Sequence, residues 1–264
     1  MMKTFSGFDI PHNYCNSIIL IGNFDGVHLG HQKLFKRARE FKRIHKCKIG
    51  VVTFNPMPKM FFNKKLKNFK LMNLSQKINQ FKKQKVDFLI NQKFTKNFSK
   101  IKAENFILKY LNKKIKTKIL FVSNNFRFGN KREGDINLLR TYENKCHYKL
   151  IIPSPLKKNN KIISSTEIRK LLSNGNLSKA NQYLSRKWEI EGKVQKGRKV
   201  GGKIGFATCN IDIGNYTIAK PGVYSVKVKL DNIKKKLNGI ANLGFRPTFN
   251  QNKILLEVNL FNFN

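Results

Sequence analysis

The sequence predicts an α/β domain with a parallel sheet, followed by a smaller all-β domain. Three observations predict it. Short apolar runs at 18–21, 49–54, 86–90, 119–122 and 148–152 alternate with stretches of helical periodicity, the pattern of βαβ units. From about Arg186 glycines become frequent, residues 188–194 alternate, and Ile190, Val194, Ile204, Val223, Val226 and Val228 fit short strands. With 264 residues, 40% of them hydrophobic, the chain is long enough to give both parts a core. The boundary falls near 184–187, which gives domains 1–185 and 186–264.

The first strand, 18–21, runs into Gly22-Asn-Phe-Asp-Gly-Val-His-Leu-Gly-His31. Asp25-Gly26 signals a turn. A helical pattern follows at once, with Leu34, Phe35, Ala38, Phe41 and Ile44 on one face. His28 and His31 therefore sit at a helix N-terminus, where unpaired amides and the positive end of the dipole favour an anion. Two imidazoles there would complete a phosphate site. The plain alternative is a pair of polar residues that happen to occupy a turn. A metal site fits less well, because no Cys, Asp or Glu stands at diagnostic spacing.

The second strand breaks at Asn55-Pro-Met-Pro58. Residues 63–70 are lysine-rich and read as solvated surface. A helix is expected over 75–84, with Ser75 as N-cap and Ile78 and Phe81 facing inward. A second helix is expected over 102–111 and a third near 135–143. Residues 123–135 follow a strand, are polar and glycine-punctuated, and can line the same crevice as the histidines, since ligands bind beyond the carboxyl ends of parallel strands. Ile163-Ser-Ser-Thr-Glu-Ile-Arg169 opens a helix that stops at Asn174-Gly175. Its hydroxyls read as caps or, with Arg169, as a phosphate holder.

The net charge of +40 suggests a polyanion partner. Composition argues for another cause. Only 10 of the 54 basic residues are Arg, Asn numbers 32, and Lys, Asn, Ile and Phe share A/T-rich codons. The lysines are also spread along the chain. Codon bias explains this without nucleic-acid binding, which stays as the alternative class. A positive field would still steer anionic substrates. Cys15, Cys47, Cys146 and Cys209 form no CxxC or zinc spacing, so reduced, structural thiols in a cytoplasmic protein are expected. No signal-peptide core and no 18-residue apolar run is present, so no membrane partner is expected. Gly197-Arg-Lys-Val-Gly-Gly-Lys203 matches GxxxxGK, but Ile204 stands where a P-loop needs Ser or Thr. No GxGxxG, GxSxG or internal repeat is found.

Taken in order, four motifs of the first half resemble the nucleotidyltransferase signatures of the prokaryotic bifunctional riboflavin kinase/FMN adenylyltransferase family, also called bifunctional FAD synthetases. They are 22–31, Thr53-Phe-Asn-Pro-Met-Pro58, Asn125-Phe-Arg-Phe-Gly129 and 163–169. Gly205-Phe-Ala-Thr-Cys-Asn210, Pro221-Gly-Val-Tyr224, Asn242-Leu-Gly-Phe-Arg-Pro-Thr-Phe249 and 256–263 resemble the kinase module. The resemblance implies a Rossmann-like nucleotidyltransferase domain and an all-β, riboflavin kinase-like barrel. It implies phosphorylation of riboflavin to FMN by ATP, then adenylylation of FMN to FAD with release of pyrophosphate. Mg²⁺ with ATP is the implied cofactor, with FMN and FAD as substrate and product. His28, His31, Asn125 and Arg169 would act at the adenylyl-transfer site. Gly22, Phe24, Asp25, Gly26, Gly30, Ser164, Ser165 and Thr166 would hold the nucleotide and its phosphates, and Asn125, Phe126, Phe128 and Arg246 the flavin. Thr208 and Asn210 would hold the metal, and Glu257 would be the base for the attacking hydroxyl. On spacing alone Glu257 reads as a solvent-facing strand residue; the aligned motif reverses that.

Several positions depart from the family pattern. Met57 stands where His is usual, Ala207 and Cys209 replace Pro and Ala, Gly202 replaces a basic residue, and Asn259 and Asn262 replace His and Asp. The family continues past the Glu-bearing strand, whereas this sequence stops at Asn264. The expectation is an incomplete barrel, either a fragment or a kinase half impaired beside an intact FMN adenylyltransferase.

Overall fold

The structure is a computed structural model. It describes residues 2–195, 208–231, 233, 235–248 and 251–262, with the backbone alone for 246–248 and 251–253. It forms two compact units. One comprises Met1–Lys67, Leu74–Ser165 and Tyr183–Ser185; the other comprises Asn68–Asn73, Thr166–Gln182 and Arg186–Asn264.

The first unit is built on six parallel strands: β1 (Lys3–Phe5), β2 (Ile18–Ile21), β3 (Ile49–Asn55), β4 (Phe88–Lys93), β5 (Ile119–Phe121) and β6 (Lys149–Ile151). Their order is β1-β4-β3-β2-β5-β6. The chain winds outward from β2 through β3 and β4 on one side, then returns to place β5 and β6 on the other. The reversal lies between β2 and β5, and such a switch point opens a crevice at the strands' carboxyl ends. Ile18, Ile19 and Leu20 are fully buried, as a strand covered on both faces requires. Gly50 is needed on β3, because a Cβ there would lie 2.2 Å from the Phe88 ring. A three-residue edge strand such as β1, with Lys3 in it, carries too little pattern to be read from sequence. The same holds for the hairpin of β7 (Lys157–Lys158) and β8 (Lys161–Ile162).

The helices of this unit are α1 (Leu29–His45), α2 (Pro58–Phe62), α3 (Leu74–Lys83), α4 (Lys96–Ser99), α5 (Ala103–Asn105), α6 (Ile136–Thr141) and α7 (Glu143–Cys146). On α1, Phe35 and Ala38 are buried as expected, but Ile44 is 72% exposed. Nine residues at 100° each place Ile44 on the face opposite Phe35. α3 starts one residue early, so Ser75 falls inside its first turn instead of capping it. The helix expected over 102–111 begins at Ala103 and widens into π-helical turns over Phe106–Lys114. Its Phe106, Ile107 and Leu111, with Ile115 just after it, are buried against the sheet core. Asp135 caps α6 by accepting from the amides of Asn137 and Leu138.

In the second unit, α8 (Ser165–Ser173, its first residue in the first unit) buries Ile168, Leu171 and Leu172. It ends where Asn174-Gly175 predicts. Gly175 has φ +80°, its amide donates to Leu172 O, and the Asn176 amide donates to Leu171 O, a Schellman stop. α9 spans Leu177–Leu184. Lys70, expected in solvent, is half-buried and bridges Tyr216 instead. The remaining strands, β9 (Val194–Gln195), β10 (Thr208–Ile211), β11 (Gly222–Val228), β12 (Leu237–Thr248) and β13 (Gln251–Leu260), form an antiparallel sheet in the order β11-β12-β13-β10-β9. Of the alternating segment 188–194, only Val194 belongs to a strand. Ala241, Leu243 and Val258 are buried, and they alternate along β12 and β13 with polar residues on the other face.

Candidate active site

The histidine turn leaves β2 at its carboxyl end, beside the switch point. The Gly22 amide still pairs with Val52 O at 3.1 Å, so the turn starts from the sheet itself. Phe24 (φ +46°), Gly26 (φ +86°) and Val27 (φ +38°) then reverse the chain. Phe24 and Val27 pay a steric cost that only a firmly held turn sustains. Gln32 grips the turn by donating from Nε2 to Val27 O at 2.9 Å and to Leu184 O at 3.2 Å. Ser165 Oγ donates to Asp25 O at 2.7 Å, so the chain entering α8 is tied to the same turn.

His28 occupies the N-cap position of α1, but no side chain caps the helix and no acid lies in its first turn. The first amides of α1 are thus available to an anion. The His28 and His31 rings stack with centroids 3.7 Å apart and planes at 23°, and Phe24 packs edge-on against His31 at 5.2 Å. Gly30 allows this packing. A Cβ there would lie 3.2 Å from the His28 ring and 3.2 Å from Ile163 O. Burial, then the neighbouring His28 and Lys77, hold His31 well below the usual imidazole pKa, so its ring is neutral at pH 7. The Nδ1 of His31 is buried and has no hydrogen-bond partner among the described residues. The turn therefore offers a desolvated imidazole and helix amides to a phosphate, with no acid in the first turn of α1 to repel it.

The loop after β5 also lies at the switch point. Asn125 is exposed and accepts from Ser123 Oγ at 2.9 Å. Phe126 is half-buried and stacks on Phe128 at 5.4 Å, while Phe128 belongs to the core and meets Phe106. Ser164 and Ser165 are half-buried and Thr166 is exposed. Arg169, in the second unit, donates from Nε to Phe69 O at 2.6 Å and lies over the Phe69 ring at 3.7 Å. Met57 is buried. Lys77, which carried no signal in the sequence, donates to Asn23 O at 2.8 Å, and Thr53 Oγ1, from the second motif, donates to the same oxygen at 3.4 Å.

A second constellation lies on the antiparallel sheet. Asn210 of β10 is directly opposite Glu257 of β13, and Thr208 is opposite Asn259. Glu257 is also opposite Asn242 of β12, and Asn210 is opposite Gln195 of β9. Residues opposed in this way share a face. Gln195, Asn210, Glu257 and Asn242 thus form one polar row across four strands, with Thr208 and Asn259 beside it. Asn210 Oδ1 is buried with no hydrogen-bond partner among the described residues. An orphaned amide oxygen beside a hydroxyl and a carboxylate suits a hard, oxygen-seeking cation. No cluster of three or more His, Cys, Asp or Glu able to hold a metal exists among the described residues. The side chain of Arg246, and all of Gly202, Lys203, residues 205–207 and the GxxxxGK stretch 197–203, lie outside the described residues.

Residues 10–167 match the FAD synthetase family and residues 184–264 the riboflavin kinase family. The bifunctional riboflavin kinase/FMN adenylyltransferase of Buchnera aphidicola subsp. Acyrthosiphon pisum is 39% identical over 263 residues, which are 98% of this chain and 84% of the relative. That of Escherichia coli K12 is 34% identical over 250 residues, 95% of this chain and 79% of the relative. The chain belongs to the bifunctional riboflavin kinase/FMN adenylyltransferase family. A crystal structure described as a macrolide-efflux protein from Streptococcus pneumoniae covers all of this chain and 85% of its own, with TM-score 0.86 and 27% identity. No helix among the described residues is long and apolar enough to cross a membrane.

Proposed function

We propose that the chain makes FAD in two steps at two separate sites. ATP first phosphorylates the ribityl 5′-hydroxyl of riboflavin, giving FMN. A second ATP then adenylylates FMN, releasing pyrophosphate. Family membership supports both steps, and the stacked histidines at the switch point carry the second.

In adenylyl transfer the FMN phosphate attacks the α-phosphorus of ATP, and charge gathers on the non-bridging oxygens. His28 and His31 donate hydrogen bonds to those oxygens and to the leaving pyrophosphate, from a desolvated turn where such bonds are strong. The first amides of α1 add to this. Ser164 and Ser165 hold the ATP phosphates; Gly22, Phe24, Asp25, Gly26 and Gly30 shape the backbone around the nucleotide. Asn125 positions the nucleotide or flavin phosphate, and Phe126, with Phe128 behind it, flanks the flavin; Arg246, from the kinase motif 242–249, contacts the flavin of the kinase step instead. No covalent intermediate is required.

In the kinase step Glu257 takes the proton from the attacking hydroxyl. Thr208 and Asn210 would hold Mg²⁺, and the ion would supply positive charge against the ATP phosphates. Adenylyl transfer belongs to residues 1–185 and the kinase to 186–264. The enzyme works in the cytoplasm on small molecules, without a specific nucleic acid or a membrane. Incubating the chain with riboflavin, ATP and Mg²⁺, and separately with FMN, ATP and Mg²⁺, tests the proposal by chromatography of the flavins. FMN and FAD are expected. FAD from FMN with no FMN from riboflavin would reduce the chain to an FMN adenylyltransferase, and no product in either tube would overturn both steps.

A further inference from the structure

The chain carries 54 Lys and Arg residues, and among the described ones Lys77 alone is buried, at 7% exposure. Taking an ammonium out of water is costly, so its partners must compensate. Lys77 lies on α3, and its Nζ donates 2.8 Å to the carbonyl of Asn23, in the middle of the histidine turn. Thr53, at the end of β3, approaches the same oxygen at 3.4 Å. Two elements therefore hold one peptide. The residue after that peptide is Phe24, one of the two strained residues of the turn, and its ring packs on His31, Phe35 and Phe81. A tether at Asn23 thus fixes the backbone that places Phe24, and Phe24 in turn fixes the His31 ring.

We propose that Lys77 is a positioning residue for adenylyl transfer: its buried ammonium locks the Asn23 peptide, holds the turn that carries His28 and His31, and sets a positive field at the His31 ring. This rests on the adenylyl-transfer reading of that site. The groups that act on His31 electrostatically are His28, on its own turn, and Lys77, on α3, and both favour the neutral ring. Lys77 therefore keeps a second positive charge from forming beside it, and His31 enters the reaction as a neutral donor.

The test uses the full chain with FMN, ATP and Mg²⁺, and reads kcat, KM and the pH profile of FAD formation together with thermal unfolding. Lys77→Met is expected to lower kcat about 100-fold, with KM for ATP and FMN little changed, as for a group that acts through the transition state. Removing the charge lets His31 protonate more easily, so the acid limb of kcat/KM moves to higher pH. Lys77→Gln keeps a polar donor without the charge and shows the same movement of the limb, which secures the test if the Met variant folds poorly. Lys77→Arg keeps the charge and leaves the limb where the wild type has it. Wild-type kcat in the Met and Gln variants, or a lower kcat with an unmoved limb in both, would overturn the proposal. Absence of FAD with the wild-type chain would overturn it together with the reading it rests on.

Discussion

The two sites of this chain are made in opposite ways. The histidine turn is made of loop backbone held in unfavourable conformations, with Phe24 at φ +46° and Val27 at φ +38°, and the side chains of Phe24, Asp25, Val27 and His28 are buried. The face proposed for the kinase step is made of strand register: Thr208, Asn210, Asn242, Glu257 and Asn259 meet because β10, β13 and β12 pair as they do, and none of them is buried. A turn of the first kind supplies desolvated donors whose strength depends on where the backbone holds them. A face of the second kind supplies oxygens and a carboxylate at half-exposed positions, suited to a hydrated cation and to proton transfer. Small movements should therefore damage the first site more than the second.

Four substitutions and one titration test this contrast. His31→Ala should lower FAD formation from FMN about a thousandfold while leaving FMN formation from riboflavin unchanged, read by flavin chromatography. Glu257→Gln should lower FMN formation about a hundredfold and spare adenylyl transfer. Gly30→Ala inserts a Cβ 3.2 Å from the His28 ring and from Ile163 O. It should slow FAD formation by about tenfold, while the helix propensity of Ala offsets the crowding and leaves the unfolding temperature nearly unchanged. Asn242→Ala removes a neighbour of Glu257 that register alone supplies. It should slow FMN formation only about two- to fivefold, the scale of one cross-strand pair.

The titration concerns stability. Folding keeps His31 neutral at pH values where the unfolded chain would protonate it, because its folded pKa lies well below 6.5. The unfolded state then binds more protons, so stability is full above pH 6.5 and is lost as the pH falls below it toward the folded pKa. Between pH 7 and about pH 5.5 the wild type should lose more in unfolding temperature than His31→Gln, followed by thermal melts across that range.

The parallel sheet was legible because buried strands leave apolar runs and the helices between them leave a 3.6-residue period. The histidine pair was legible because its residue types are rare in this chain and flanked by turn signals. Ile44 misled because an apolar residue near the expected spacing still lies 180° from Phe35 on the helix. The π-helical widening after Ala103 leaves no mark that propensity can read. Lys77 was hidden for a compositional reason: in a chain so rich in lysine, one that folds inward looks like the rest. The kinase row was legible only through the family resemblance, for a topological reason. Asn210 and Glu257 are far apart in sequence, and only the pairing of β10 with β13 makes them neighbours.

The central claim is that two self-sufficient sites are joined only by free FMN. It is tested most directly by mixing the His31→Ala and Glu257→Gln chains with riboflavin, ATP and Mg²⁺. Each variant alone should stop short of FAD, the first accumulating FMN and the second leaving riboflavin unchanged, while the mixture should restore FAD. A mixture that still makes no FAD, or a His31→Ala chain that makes FAD at the wild-type rate, would contradict it.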